Sequence, residues 1–201
     1  MKPPLPRLVL ITDFSRGEEQ VFSALERALH AGPGLAVQLR AHGLATREVF
    51  AHAQRARALG APLFVSGRVD LALALECHLH LPAAALAPAE VRAALGADRL
   101  ISCAVHDDAE AQRGAGADFA LVSPVWPAGS KGGDTRTPLG AAGFARVAGA
   151  LFCPAFALGG ITPERLQQLK PRGAAAVSHW LDAPDPAEAV RKLLSALPEV
   201  S

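Results

Sequence analysis

The chain has 201 residues, 50% of them hydrophobic and 19% charged, a composition with ample apolar surface for a packed core and unlike that of a disordered chain. Lys and Arg number 20 against 19 Asp and Glu, a formal net charge of +1 with no basic block long enough to track a phosphate backbone, so nucleic acid is not an expected partner. Apolar stretches are interrupted every few residues, none nears the ~20 residues of a membrane span, and Met1 to Pro6 lacks a signal-peptide core, so a soluble, cytoplasmic protein without a membrane partner is expected. Cys77, Cys103 and Cys153 are an odd set at wide spacing, which fits buried reduced thiols rather than a disulfide framework or a zinc site.

Short continuous apolar runs alternate with amphipathic stretches from end to end. Arg7 to Thr12 reads as a first strand and Gly17 to Ala31 as its helix. Leu35 to Leu39 pairs in the same way with Leu44 to Leu59, Pro62 to Ser66 with Arg68 to Glu76, and Cys77 to Leu81 with Pro88 to Leu95. Arg99 to Val105 is followed by Asp107 to Gly116, Phe119 to Ser123 by Ala141 to Gly149, Pro154 to Leu158 by Pro163 to Leu169, and Ala174 to Leu181 by Pro186 to Ala196. Helix starts are marked at Asp107 with Glu110, at Thr162 before Pro163, and at Asp185 before Pro186 with Glu188. Strands three to six and eight are nearly unbroken apolar runs, as in a parallel sheet covered on both faces. Eight strand–helix units in one small domain predict an α/β fold of the closed (β/α)8 TIM-barrel type, with a doubly wound open sheet as the alternative. The connection Trp126 to Gly140 spans about fifteen residues, a length that usually carries function.

Several residues could hold an anion at the carboxyl ends of the strands. Gly159 and Gly160, between a strand and the helix opened by Thr162 and Pro163, let backbone approach a phosphate beside free helix N–H groups; a plain tight turn is the competing account. Gln38 and Arg40 end the second strand, and a guanidinium there suits bidentate capture of phosphate or carboxylate. Ser130 and Lys131 lie in the long loop, where a lysine can close over an anion. His78 and His80 share a face of the fourth strand, His106 follows the fifth, and His179 falls within the predicted eighth; no third ligand of definite spacing joins them, so no metal site is expected. Among them His80 is the preferred proton carrier, and Ser123 at the end of the sixth strand has a positioning role.

Taken in order, Leu10-Ile11-Thr12-Asp13, Val37-Gln38-Leu39-Arg40, Arg68 to Ala74, His80-Leu81, Val105-His106, Gly116 to Phe119, Ser123 to Pro127, Ser130-Lys131, Pro138-Leu139-Gly140 and Leu158 to Pro163 resemble the thiamin phosphate synthase and TenI-like group of small eightfold barrels. The resemblance spans nearly the whole chain. It implies a role in thiamin biosynthesis on a small phosphorylated thiazole or thiamin phosphate ligand. In the synthase branch, hydroxymethylpyrimidine pyrophosphate is joined to thiazole phosphate with loss of pyrophosphate, and magnesium held by two aspartates, the strand-two arginine and the loop lysine share the leaving charge. Arg40 and Lys131 match that pattern. The aspartate positions do not: Ser66-Gly67-Arg68 stands before the third helix and Pro82-Ala83-Ala84-Ala85 after His80-Leu81.

The missing carboxylates place the chain nearer the TenI-like branch, which isomerises a thiazole phosphate by moving a ring proton and needs no cofactor; magnesium is expected only for a true synthase. The expected catalytic residues are then His80, His106 and Lys131, with Gln38, Arg40, Ser123, Ser130, Gly159, Gly160 and His179 binding substrate. The synthase itself, and a non-catalytic binder of the same ligand, are the alternatives. A homodimer stays open, because barrel helices and a dimer face carry the same apolar stripes.

Overall fold

The computed structural model describes residues 2–127 and 136–199. Its strands are β1 (Leu8–Ile11), β2 (Leu35–Leu39), β3 (Leu63–Ser66), β4 (His78–Leu81), β5 (Ile101–Val105), β6 (Phe119–Val122), β7 (Ala155–Leu158) and β8 (Gly173–Ala176). All pair in parallel with their sequence neighbours, and β8 returns to β1 through Leu8–Ala174, Val9–Ala175 and Leu10–Ala176, so the sheet closes into a barrel and the open-sheet alternative falls away. The helices are α1 (Glu18–Leu29), α2 (Thr46–Ala58), α3 (Val69–Ala74), α4 (Pro88–Leu95), α5 (Asp108–Arg113), α6 (Gly140–Gly149), α7 (Pro163–Leu169), α8 (Ser178–Leu181) and α9 (Pro186–Ala196).

The near-continuous apolar strands are explained by two cores. Residues such as Leu8, Leu10, Val37, Leu39 and Leu79 face the helices, while Val9, Ile11, Ala36, Phe64, Phe119, Leu121, Phe156 and Ala175 fill the barrel. The inner core is an aromatic plug. Phe64 meets Phe119 edge to face at 5.5 Å between ring centres, and Phe119 stacks on Phe156 at 4.4 Å. A Cβ at Gly173 would sit 2.5 Å from the Phe156 ring, so the small residues of β8 are what allow the barrel to close around these rings.

The predicted helix starts hold: Asp107 accepts from the Glu110 amide at 2.8 Å, Asp185 from the Glu188 amide at 3.0 Å, and Thr162 from the Arg165 amide at 3.4 Å. Two local features differ from expectation. A 3-10 turn, Phe14–Arg16, capped by Asp13, follows β1. More consequentially, the run predicted as one strand from Ala174 to Leu181 breaks at Val177, and Ser178–Leu181 is a helical turn, so His179 is helical and not in a strand. Ser178 and His179 do interrupt the apolar run at the break, but two polar residues near a strand's carboxyl end are equally compatible with a strand that faces a site. What sets the break is Trp180, fully buried, whose indole Nε1–H reaches back to the Ala176 carbonyl at 2.9 Å.

Candidate active site

At the carboxyl-end face, a cavity of about 380 Å³ opens beside the ends of β2, β6, β7 and β8. One wall is the β7–α7 turn with Gly159 and Gly160, and the opposite wall is Val177, Ser178 and His179 at the start of α8. Arg40 and Ser123 line it from the strand ends, and Arg136, Arg165 and Asp182 complete its charged lining.

The two glycines take φ of +100° and +59°, backbone that other residues adopt only with strain. They are also crowded by the segment after β6. A Cβ at Gly159 would lie 2.9 Å from Pro124 Cα, and one at Gly160 would lie 2.6 Å from the Pro127 carbonyl oxygen and 2.8 Å from Trp126 Cβ. Backbone bonds seal this contact, Val125 N–H to the Leu158 carbonyl at 2.9 Å and Trp126 N–H to the Gly159 carbonyl at 3.1 Å. The glycines thus serve the packing of the β6 loop onto the β7–α7 turn as well as the cavity wall.

Arg40 is held by a charge network that sequence reading did not assemble. Its Nη2 lies 3.4 Å from Asp13 Oδ2, Asp13 also accepts from Arg16 Nη1 at 2.6 Å, and Arg16 makes a two-pronged contact with Asp182 at 3.0 Å on each arm. The chain of charges ties the β1 loop and the β2 end to the residue following α8. Burial works to raise the Asp13 carboxyl, but the Ser15 hydroxyl and amide and the guanidinium groups of Arg40 and Arg16 outweigh it and hold it below its ordinary 3.8. Arg40, mostly buried, has its pKa lowered by desolvation against the pull of Asp13, yet an arginine stays charged.

The histidines separate. His179 lies on the cavity wall, and burial, with Lys192 nearby, holds it below its ordinary 6.5 against the Glu164 carboxylate. It is therefore neutral near pH 7 and able to accept a proton. His80 is sealed inside the barrel with Nδ1 3.0 Å from Ser102 Oγ, and burial, reinforced by His106, pushes its pKa down to about 3. His106 holds the Glu110 carboxylate at 2.7 Å through Nδ1. His78 accepts from the Leu100 amide at 3.2 Å and packs on Phe64.

Of the sequence-predicted residues, the structure brings Arg40, Ser123, Gly159, Gly160 and His179 onto one cavity. Gln38 is buried two residues before Arg40 in the barrel, while His80 and His106 are not among the cavity's lining residues. Ser130 and Lys131 fall outside the described residues. Asp13, Arg16, Arg136, Arg165 and Asp182 were missed. Asp13 carried a signal, as an acid directly after a strand at the face where barrel sites form; Arg165, inside a helix, carried none.

Comparison with known proteins decides the family. The family model described as "Thiamine monophosphate synthase" matches residues 8–180. The chain belongs to that family. A "Putative thiamine-phosphate synthase" of Geobacter sulfurreducens is 37% identical over 202 residues, covering 95% of this chain and 94% of that protein. The "Putative thiamine-phosphate synthase 2" of Aquifex aeolicus is 32% identical over 188 residues, covering 89% of this chain and 99% of its own. Among solved structures, thiamine phosphate pyrophosphorylase from Pyrococcus furiosus superposes with a TM-score of 0.78 at 26% identity, covering 94% of each chain. The barrel of 3-hexulose-6-phosphate synthase, at 16% identity and a TM-score of 0.71, shares the fold.

The synthase family implies magnesium, so the ends of β3 and β4 must be tested as a metal site. The side chains there are Ser66, His80 and the alanines after Pro82, and the first acid along the chain after β3, Asp70, is already gripped by Arg68 at 2.8 and 2.6 Å. Among the described residues, no group of three His, Cys, Asp or Glu side chains could hold a metal ion. A hard divalent cation needs oxygen donors, and this donor set does not fit one. Among the described residues no helix is long and apolar enough to cross a membrane.

Proposed function

We propose that this chain is an enzyme of thiamin biosynthesis that seats a thiazole phosphate in the carboxyl-end cavity and joins its ring to hydroxymethylpyrimidine pyrophosphate, the thiamin-phosphate synthase reaction. The observation that carries the reading is the cavity itself, bounded by two backbone turns and, among the described residues, by Arg40, Arg136 and Arg165 against one acid, Asp182. Such a lining favours a small ligand with a phosphate at one end. The names of the relatives support the choice of reaction.

In this reading the phosphate ester lies between Gly159-Gly160 and Ser178-His179, with the ring directed toward Arg40 and Ser123. The ring nitrogen attacks the pyrimidine methylene as its C–O bond to pyrophosphate breaks. Arg40, kept in place by Asp13, stabilises the departing charge by fixed electrostatics that need no reorganisation.

A second reading rests on Gly67 and Ala85, which stand where the synthase pattern has metal-binding acids. It is a proton transfer on the thiazole ring of a bound phosphate, with His179 as the neutral base on the cavity wall. The deciding experiment is thiamin phosphate formation from the two phosphorylated precursors, with magnesium and with a chelator. Product formation is the expected result and carries the first reading. Absence of product, with solvent deuterium entering the thiazole ring and that exchange lost in His179→Gln, would replace it with the second.

A further inference from the structure

The geometry points to Arg165 as an anion-binding residue of this cavity, selecting a phosphate monoester over the corresponding neutral alcohol. This rests on the proposed thiazole phosphate site and adds to it a side chain that reads the charge.

Helical side chains lean toward the helix N-terminus, so a residue at the third position of α7 covers the turn that precedes the helix. Arg165 does so. Its amide is anchored on Thr162 Oγ1, its Nη1 donates to the Gly160 carbonyl, and its guanidinium carbon lies 5.2 Å from the centre of the Trp126 ring. A Cβ at Gly160 would come within 2.9 Å of Nη1, which shows how closely the guanidinium is seated on the turn. Hydrogen bond below, indole alongside: the planar fork is held before any ligand arrives.

A guanidinium has five N–H donors, and the Gly160 carbonyl engages one nitrogen. Among the described residues no carboxylate forms an ion pair with Arg165, whereas Arg40 has Asp13 and Arg16 has both Asp13 and Asp182. The charge therefore lines the cavity with no ion-paired acid among the described residues to neutralise it, over the turn where the backbone presents Gly159 and Gly160. A phosphate monoester offers three oxygens and up to two charges to such a fork; a neutral alcohol offers neither.

The test is calorimetric titration of the whole protein with 4-methyl-5-(2-hydroxyethyl)thiazole phosphate and, in parallel, with the unphosphorylated thiazole alcohol. Arg165→Ala is expected to weaken binding of the phosphate roughly 10- to 100-fold, while its affinity for the alcohol stays within about twofold of wild type. Arg165→Lys, which keeps the charge but loses the fork, should recover only part of the loss. Equal affinity of Arg165→Ala and wild type for the phosphate would overturn the inference and leave the thiazole phosphate site standing. Equal weakening toward both ligands would also overturn it, making Arg165 a support for the turn. Wild type binding neither ligand would instead remove the site reading on which the inference depends.

Discussion

At the scale of single residues, burial decides which ionisable groups can work. His80 is the clearest case, because its folded pKa of about 3 lies far below the ordinary 6.5. The folded chain therefore binds fewer protons than the unfolded chain between those two values. The stability this implies is complete above about pH 6.5 and is lost as the pH falls toward 3, by a few kcal/mol in all. In urea melts at pH 7.5 and pH 4, wild type should lose more stability on acidification than His80→Gln, and identical losses would refute it. His179, less buried, keeps its ring on the cavity wall and is better placed than His80 to exchange protons with a ligand. The histidines were visible in the sequence as a set, but the choice among them was not, since a strand's period gives a side chain's face and not its distance from a ligand.

At the scale of elements, the decisive piece is the turn from β8 into α8. Trp180 is wholly buried and its indole N–H satisfies the Ala176 carbonyl, so the tryptophan pulls the chain out of the strand and sets Val177 to His179 along the cavity. Trp180→Phe should retain most of the packing yet strand a buried carbonyl, at a cost of ~1–3 kcal/mol in denaturant melts, with weaker binding of thiazole phosphate. Unchanged stability and affinity would show that packing alone forms the turn. The opposite wall depends on a second contact between elements, the segment after β6 pressing on Gly159 and Gly160. Both walls are consequently built by residues outside the walls themselves. That is why Gly159 and Gly160 stood out in the sequence as a loop signal, while Trp180, reading as one more apolar residue in a run, did not.

At the scale of the molecule, eight parallel strands close only because β8 is reduced to Gly173 and alanines opposite the large rings of Phe64, Phe119 and Phe156. Gly173→Ala should therefore act on the entire barrel. Phe156 is fully buried and its ring has nowhere to retreat, so a loss of ~1–3 kcal/mol is expected in urea unfolding, and a neutral effect would mean that the plug repacks. The same closure brings β1, β2 and β8 side by side, which lets Arg40, Asp13, Arg16 and Asp182 join across residues far apart in the chain. By itself the sequence determined the succession of strands and helices, the caps at Asp107, Thr162 and Asp185, the barrel, and the family, because these rest on local periodicity, capping chemistry and ordered motifs. Only the tertiary structure decided that Ala174 to Leu181 is half strand and half helix, that His80 is sealed away while His179 faces the cavity, and that Arg165 folds back over Gly160. Those outcomes depend on which side chains meet across the closed barrel and how much water they exclude, quantities that no spacing along a single chain contains.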